Sequence, residues 1–233
     1  MHILLIETCT ERGVIAYGHG EDILFAKELP FGLNQSKALM PSLDEVLQPF
    51  GYPPQLDVIG VGIGPGSYTG IRLGVAVAQA LAYSWKIPLI GISSLQGFVP
   101  SVSAVNYAAV LDARIGGVYF QKGTKDSGGK VVRDAPQVAP IEEMGEHLKG
   151  VTYLVTPFAK SLQTKLIQAY PNDSWIWEER SPSISALLES VEQTYRQGKR
   201  IAPPQHLDLL YLRQTEAERE KASRQKRKQE RNT

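Results

Sequence analysis

Cysteine is almost missing from this sequence: Cys9 stands alone among 233 residues, so no disulfide can close within the chain and no cysteine cluster can hold a metal. Histidine is scarce as well. His2, His19, His147 and His206 are scattered without a His-x-x-x-His spacing, and a metal site is not expected. Net charge is also close to absent, at +1, which removes any global argument for nucleic-acid or membrane binding. No apolar run reaches the roughly eighteen residues of a spanning helix. Residues 1–7 have neither the basic start nor the long apolar core of a signal peptide, and the chain reads as cytoplasmic. Two catalytic spellings are missing too. There is no G-x-S-x-G elbow, and the glycine-rich stretch lacks the Gly-Lys-Ser or Gly-Lys-Thr that a Walker loop needs, since Gly70 is followed by Ile71.

What is present is an ordinary globular composition, 42% hydrophobic and 21% charged, long enough for one large domain or two small ones. Its most informative stretch is Gly62-Ile63-Gly64-Pro65-Gly66-Ser67-Tyr68-Thr69-Gly70-Ile71-Arg72-Leu73-Gly74. The apolar run 58–63 reads as a buried strand and residues 71–85, free of proline, as a helix, so the glycines form a strand-to-helix turn. Such a turn can offer free N–H groups to an anion, or it can simply let a helix pack closely on a sheet. Ser67 is then a helix cap or, less simply, a nucleophile with no local base. The Glu7-Thr8-Cys9-Thr10 run at the end of the first strand can place an acid and hydroxyls beside phosphate or magnesium, or can close a turn.

Residues 2–6, 13–17 and 23–29 suggest a strand meander. A helix follows, with Ser36, Leu39, Met40, Leu43, Val46 and Leu47 on one period; Pro41 is expected to kink or restart it, with Ser42 to Glu45 spelling a capping box. Next come the glycine turn, the helix from Ile71 and a short strand at 89–92. On a helical wheel Gly70, Leu73, Gly74, Val77, Ala78 and Leu81 share one arc, and Ile71, Val75, Ala76, Gln79 and Ala82 the other. Both arcs are apolar or small, so one packs on the sheet and the other meets a second helix, from this chain or a partner. The fold class is α/β, mixed sheets with packed helices. A second unit is expected from about residue 100, with strands at 107–111, 117–121, 135–138 and 152–155 and helices at 141–148, 161–169 and 184–195. Three regions result: 1–99, 100–215, and a basic stretch 216–233 too polar to build a core. That stretch reads as a frayed helix or disordered segment, or as an arm gripping RNA phosphates.

The strings Ile6-Glu7-Thr8-Cys9-Thr10-Glu11, Gly64 to Gly74, Gly91-Ile92-Ser93-Ser94-Leu95, and Asp112-Ala113-Arg114 ahead of Val118-Tyr119 resemble the bacterial TsaB (YeaZ) family; Tyr211-Leu212-Arg213 is similar to its closing motif. The resemblance implies a two-lobed actin-like ATPase (ribonuclease H-like) fold. It also implies a part in making threonylcarbamoyladenosine beside the anticodon of tRNA. In that system TsaD transfers the threonylcarbamoyl group from threonylcarbamoyl-AMP, made by TsaC-type enzymes. TsaE is an ATPase acting on the complex, and TsaB is the non-catalytic partner of TsaD.

On that reading the chain has no catalytic residue and requires no cofactor of its own, ATP and magnesium belonging to the complex, and it meets tRNA through the complex. The docking surface is expected on Ser36, Leu39, Met40 and Leu43 of one helix and Ile71, Arg72, Val75, Ala78, Gln79 and Ala82 of the other. A homodimer through the same surface is expected when TsaD is absent. The alternative is a hydrolase or peptidase acting alone, with nucleotide held by Glu7, Thr8, Gly66 and Ser67. Two departures bear on it. The family usually carries Asp where this chain has Glu7, and often histidine at the position of Gln35.

Overall fold

The computed structural model describes residues 1–20, 22–114, 117–198, 207–210 and 212. The first sheet grows from β1 (His2–Glu7), β2 (Val14–His19) and β3 (Asp22–Glu28), an antiparallel meander. After α1 (Gln35–Leu47) the chain enters β4 (Val58–Gly62), then α2 (Tyr68–Trp85) and β5 (Leu89–Ile92). β4 and β5 add in parallel on the other side of β1, giving the order β3-β2-β1-β4-β5. Strand alternation divides β1 between two cores. Leu4 and Ile6 point toward α1 and α2, while Ile3 and Leu5 point to the opposite face.

The helix carrying Pro41 does not restart there; α1 runs unbroken from Gln35 to Leu47, and Ser42 is buried inside it rather than capping it. An internal proline costs about 3 kcal/mol. Leu39, Leu43, Val46 and Leu47 are all buried beneath it, each contributing about 1.5–3 kcal/mol, and that burial wins.

The second sheet contains β6 (Val105–Asp112), β7 (Gly117–Lys125), β8 (Val131–Arg133) and β9 (Gln137–Pro140). A 3-10 turn at Ile141–Glu143 leads into α3 (Met144–His147), which shortens the helix expected over 141–148. β10 (Tyr153–Thr156), α4 (Lys160–Ala169) and β11 (Ile176–Glu179) follow. Its order is β11-β10-β6-β7-β8, with β9 also on β7. β6 pairs antiparallel with β7 and parallel with β10, which pairs parallel with β11. This is the first sheet over again: a central strand, antiparallel neighbours on one side and two parallel strands on the other, with α4 where α2 stands. The sequence carries no visible repeat, yet the topology is repeated.

Last comes α5 (Ile184–Arg196), started by Ser183, whose side chain accepts from the Ala186 N–H. It lies after the second sheet in sequence and packs on the first in space. Leu187, Leu188 and Val191 cover Ile3, Leu5, Val14 and Ile90, so the first sheet is closed on both faces. Gly60 has no Cβ to obstruct Val191. Leu207, Leu209 and Leu210 then pack against the α1–α2 core, and the Leu210 N–H donates to the Ile63 carbonyl at 2.9 Å.

Candidate functional site

The glycine turn is filled by its own chain. A Cβ on Gly62 would overlap the Glu7 carboxylate, one on Gly66 the Cys9 carbonyl, one on Gly70 the Thr8 carbonyl, and one on Gly74 the Thr8 hydroxyl. Four glycines are thus required because residues 7–9 press against all of them. Two of the turn's donors are engaged as well. Ser67 N–H donates to the Cys9 carbonyl at 2.6 Å, and the Ser67 side chain caps α2 by accepting from Gly70 N–H. Thr8 Oγ1 donates to the Gly70 carbonyl at 2.7 Å.

Glu7 sits wholly inside this clasp. Its Oε1 accepts the Cys9 N–H at 2.6 Å and its Oε2 the Ser94 hydroxyl at 2.8 Å. Burial pushes its carboxyl up, and these hydrogen bonds bring it only part of the way back. The Cys9 thiol is pushed well up by burial and then by the neighbouring Glu7 charge, the opposite of a nucleophile's need. Of the four residues expected to hold nucleotide, Glu7 and Thr8 are therefore turned away from any ligand, because the sheet and the glycine turn enclose them. Gly66 and Ser67 do line a cleft.

That cleft, of about 370 Å³, lies between the two sheets. Thr10, Glu11 and Tyr68 line it from one side and Asp112, Arg114 and Tyr119 from the other. A second cavity of about 280 Å³ shares Glu11, Leu111, Asp112 and Arg114 and is closed by Phe31, Pro157 and Phe158. Asp112 accepts from the Arg114 N–H at 2.8 Å and from Lys165 Nζ at 2.7 Å. Gln35 Nε2 donates to the Thr10 carbonyl at 2.8 Å and so braces the turn after β1. Among the described residues no three of His, Cys, Asp and Glu gather in a way that could hold a metal. His2 and His19 meet at a tilt at the far end of β1 and β2, with ring centroids 4.4 Å apart; His206 lies outside the described residues.

Sequence reasoning missed a bridge across the cleft. Arg12 donates through Nε to the Pro157 carbonyl and through its terminal nitrogen to Glu179 Oε1, each at 2.8 Å. Its guanidinium also lies 5.3 Å from the centre of the Phe31 ring, which meets Phe158 edge-on. No short spacing could have signalled contacts separated by well over a hundred residues.

The expected docking surface needs correction. Leu39, Leu43, Ile71, Val75, Ala78 and Ala82 are all buried in the chain's own core, because the seam between α2 and the sheet runs between the two arcs drawn on the wheel. Ser36, Met40 and Arg72 remain exposed and Gln79 half-exposed. The outward face of α2 is instead centred on Ala76, with Leu73, Val77, Ala80 and Tyr83 around it. Arg72 is the single charged side chain on this 18-residue helix, and it lies over the Tyr68 ring. Placing Arg72 and Tyr83 at the solvent pole would have found this face.

Two lobes of one strand order, facing each other over a cleft, define a two-lobed α/β protein of the actin-like ATPase fold. A solved structure of YeaZ from Pseudomonas aeruginosa has that fold with a TM-score of 0.73 at 21% identity, covering 91% of this chain and 99% of that one. The family model of TsaD, described as tRNA N6-adenosine threonylcarbamoyltransferase, matches residues 33–148. The tRNA threonylcarbamoyladenosine biosynthesis protein TsaB of Escherichia coli is 32% identical over 134 residues, 55% of this chain and 58% of that protein. TsaB of Bacillus subtilis is 37% identical over 123 residues, 51% and 53% of the two chains. These relatives make the chain similar to the TsaB (YeaZ) family, and each match spans a little over half the length of either chain.

Proposed function

We propose that this protein is an accessory subunit in threonylcarbamoyl transfer to the adenosine beside the anticodon of tRNA, and that it acts by binding and activating a TsaD-type catalytic subunit. The observation that carries the reading is the outward face of α2. Small and apolar residues there permit close helix packing, and Met40 of α1, 55% exposed, extends the apolar ground. A buried helix face is satisfied by the chain's own sheet; this one is not.

TsaD suits as the occupant because its family model matches this chain over 33–148, which includes both helices, so the partner offers a comparable pair. Helix pairs of this kind pack face to face about a two-fold axis. The same geometry makes a homodimer the competing occupant. TsaE, ATP and magnesium belong to the assembled complex in this reading, and tRNA is met there. A nucleotide hydrolase or peptidase acting alone is disfavoured by the engagement of Glu7, Thr8 and the Ser67 N–H in the clasp.

Size-exclusion chromatography with light scattering, on the chain mixed with TsaD, tests the proposal. A 1:1 or higher-order complex is expected, and replacement of exposed Ala80 by Glu should disperse it. An Ala80→Glu variant that binds as well as the parent, or magnesium-dependent ATP hydrolysis by the isolated chain at enzymatic rates, overturns it.

A further inference from the structure

The register of the first hairpin sets side by side two histidines that lie far apart in the sequence. His2 of β1 and His19 of β2 are direct cross-strand partners. The Gly20 N–H donates to the Met1 carbonyl at 2.8 Å, so Met1 and Gly20 are hydrogen-bonded across the strands and, by alternation, His2 and His19 are not. The main chain of His2 agrees. Its N–H donates to Asp57 Oδ2 at 2.7 Å and its carbonyl accepts the Asp57 N–H at 2.9 Å, both on the side of β4. Side chains stand closest in a pair of this kind. Here the ring centroids are 4.4 Å apart and the planes are inclined at 38°.

The tautomer of His2 follows from its neighbour. Tyr17 Oη lies 3.0 Å from His2 Nδ1 and donates to the Gln55 carbonyl at 2.6 Å. A carbonyl only accepts and a phenol has a single proton to give, so Nδ1 is the donor to Tyr17. Neutral His2 therefore carries its hydrogen on Nδ1 and its lone pair on Nε2. Tyr17 is itself held in place, 2% exposed and stacked on Phe50 at 4.2 Å. A ring that gives one N–H to a fixed oxygen and presents its other nitrogen bare has the outer-shell support of a metal-binding imidazole. His19 beside it is exposed. An ion bound to both rings at about 2.0–2.1 Å holds the two nitrogens roughly 3 Å apart, a spacing that these neighbouring rings can reach.

We infer that His2 Nε2 and a ring nitrogen of His19 form a two-imidazole site for a divalent transition ion of the zinc class, at the end of β1 opposite the cleft. Imidazole nitrogen selects zinc, nickel and copper over magnesium and calcium, which prefer oxygen. No third His, Cys, Asp or Glu joins the pair among the described residues, so water fills the remaining positions and the ion exchanges. Bound there, the ion clips β1 to β2, and the Asp57 contacts carry the clip on to β4. No short spacing signals such a site, because a hairpin and not a helix brings its two ligands together. The inference goes beyond the accessory-subunit reading and does not depend on it.

Calorimetric titration of the untagged full chain with zinc chloride, at about pH 8 where unpaired imidazoles are neutral, is the test. Saturable binding is expected, weakened about tenfold or more in His19→Gln and in His2→Gln. Tyr17→Phe removes the oxygen that fixes the His2 tautomer and should weaken binding by about tenfold. Zinc should raise the melting temperature of the parent, magnesium should not, and His19→Gln should respond to neither. In proton NMR the Cε1 signals of His2 and His19 should move with zinc while that of His147 stays. Equal zinc affinity in the parent and His19→Gln overturns the inference. So do zinc-dependent shifts confined to His147 or His206, magnesium binding as tight as zinc binding, or a Tyr17→Phe variant that holds zinc as well as the parent.

Discussion

At the scale of single residues, Glu7 and the glycines around it are coupled by contact. The carboxyl of Glu7 lies above its ordinary value because burial outweighs its two hydrogen bonds. A group raised in the folded state contributes stability that is complete below its unfolded value and is lost as pH rises through the folded one. Glu7→Gln keeps the acceptor for Cys9 N–H and removes that loss. Its unfolding free energy relative to the parent should therefore climb between pH 4 and pH 7, measured by denaturant titration; a difference that stays flat with pH contradicts the account.

Gly74 offers a sharper test of the clasp. Ala there would meet the Thr8 hydroxyl, an overpacking cost of about 1–3 kcal/mol, against which better helix propensity returns up to about 1 kcal/mol. Thr8→Ala alone removes the bond to the Gly70 carbonyl and should cost about 0.5–1.5 kcal/mol. In the Thr8→Ala background the obstacle is gone, so Gly74→Ala should become neutral or stabilising. Equal cost in both backgrounds would mean that the two positions do not touch in solution.

Among the elements, α2 separates packing from docking. Val75 is buried against the sheet, and a glutamate there should cost more than about 3 kcal/mol by burying an unpaired charge. Ala80, one turn and a half further on, faces outward, and the same substitution should stay within about 0.5 kcal/mol of the parent in stability while lowering affinity for TsaD at least tenfold. Circular dichroism melts beside the binding assay distinguish the two, and an unfolded Ala80→Glu variant would show that the face has been misassigned.

The period of α2 was legible in the sequence but its phase was not, because apolar and small residues surround nearly the whole helix. The seam was set by Thr8, more than sixty residues away, pressing on Gly70 and Gly74. The meander, the glycine turn and the cap at Ser67 could be read because each is a local matter of spacing and turn chemistry. β8 and β11 could not, being three and four residues long at the margins of a sheet, where pairing rather than composition defines a strand.

Over the whole molecule, the two lobes are tied at the cleft by Arg12, and the strength of that tie depends on conditions. The Arg12–Glu179 pair is about one-third exposed on both sides, which limits it to roughly 0.2–1 kcal/mol. Glu179 lies below its ordinary value, first through the Ala159 N–H and then through Arg12. The sign is opposite to that of Glu7. Stability from a lowered carboxyl is present above its unfolded value and disappears as pH falls through the folded one, so the tie holds at neutral pH and releases in acid. A double-mutant cycle with Arg12→Ala and Glu179→Ala should give coupling at pH 7, little at pH 3, and less in 1 M salt. Phe31 on Phe158 has no charge to lose and should hold the same edge of the cleft under all three conditions. If the coupling persists at pH 3, the lobes are joined there by packing of the Arg12 stem and not by its charge.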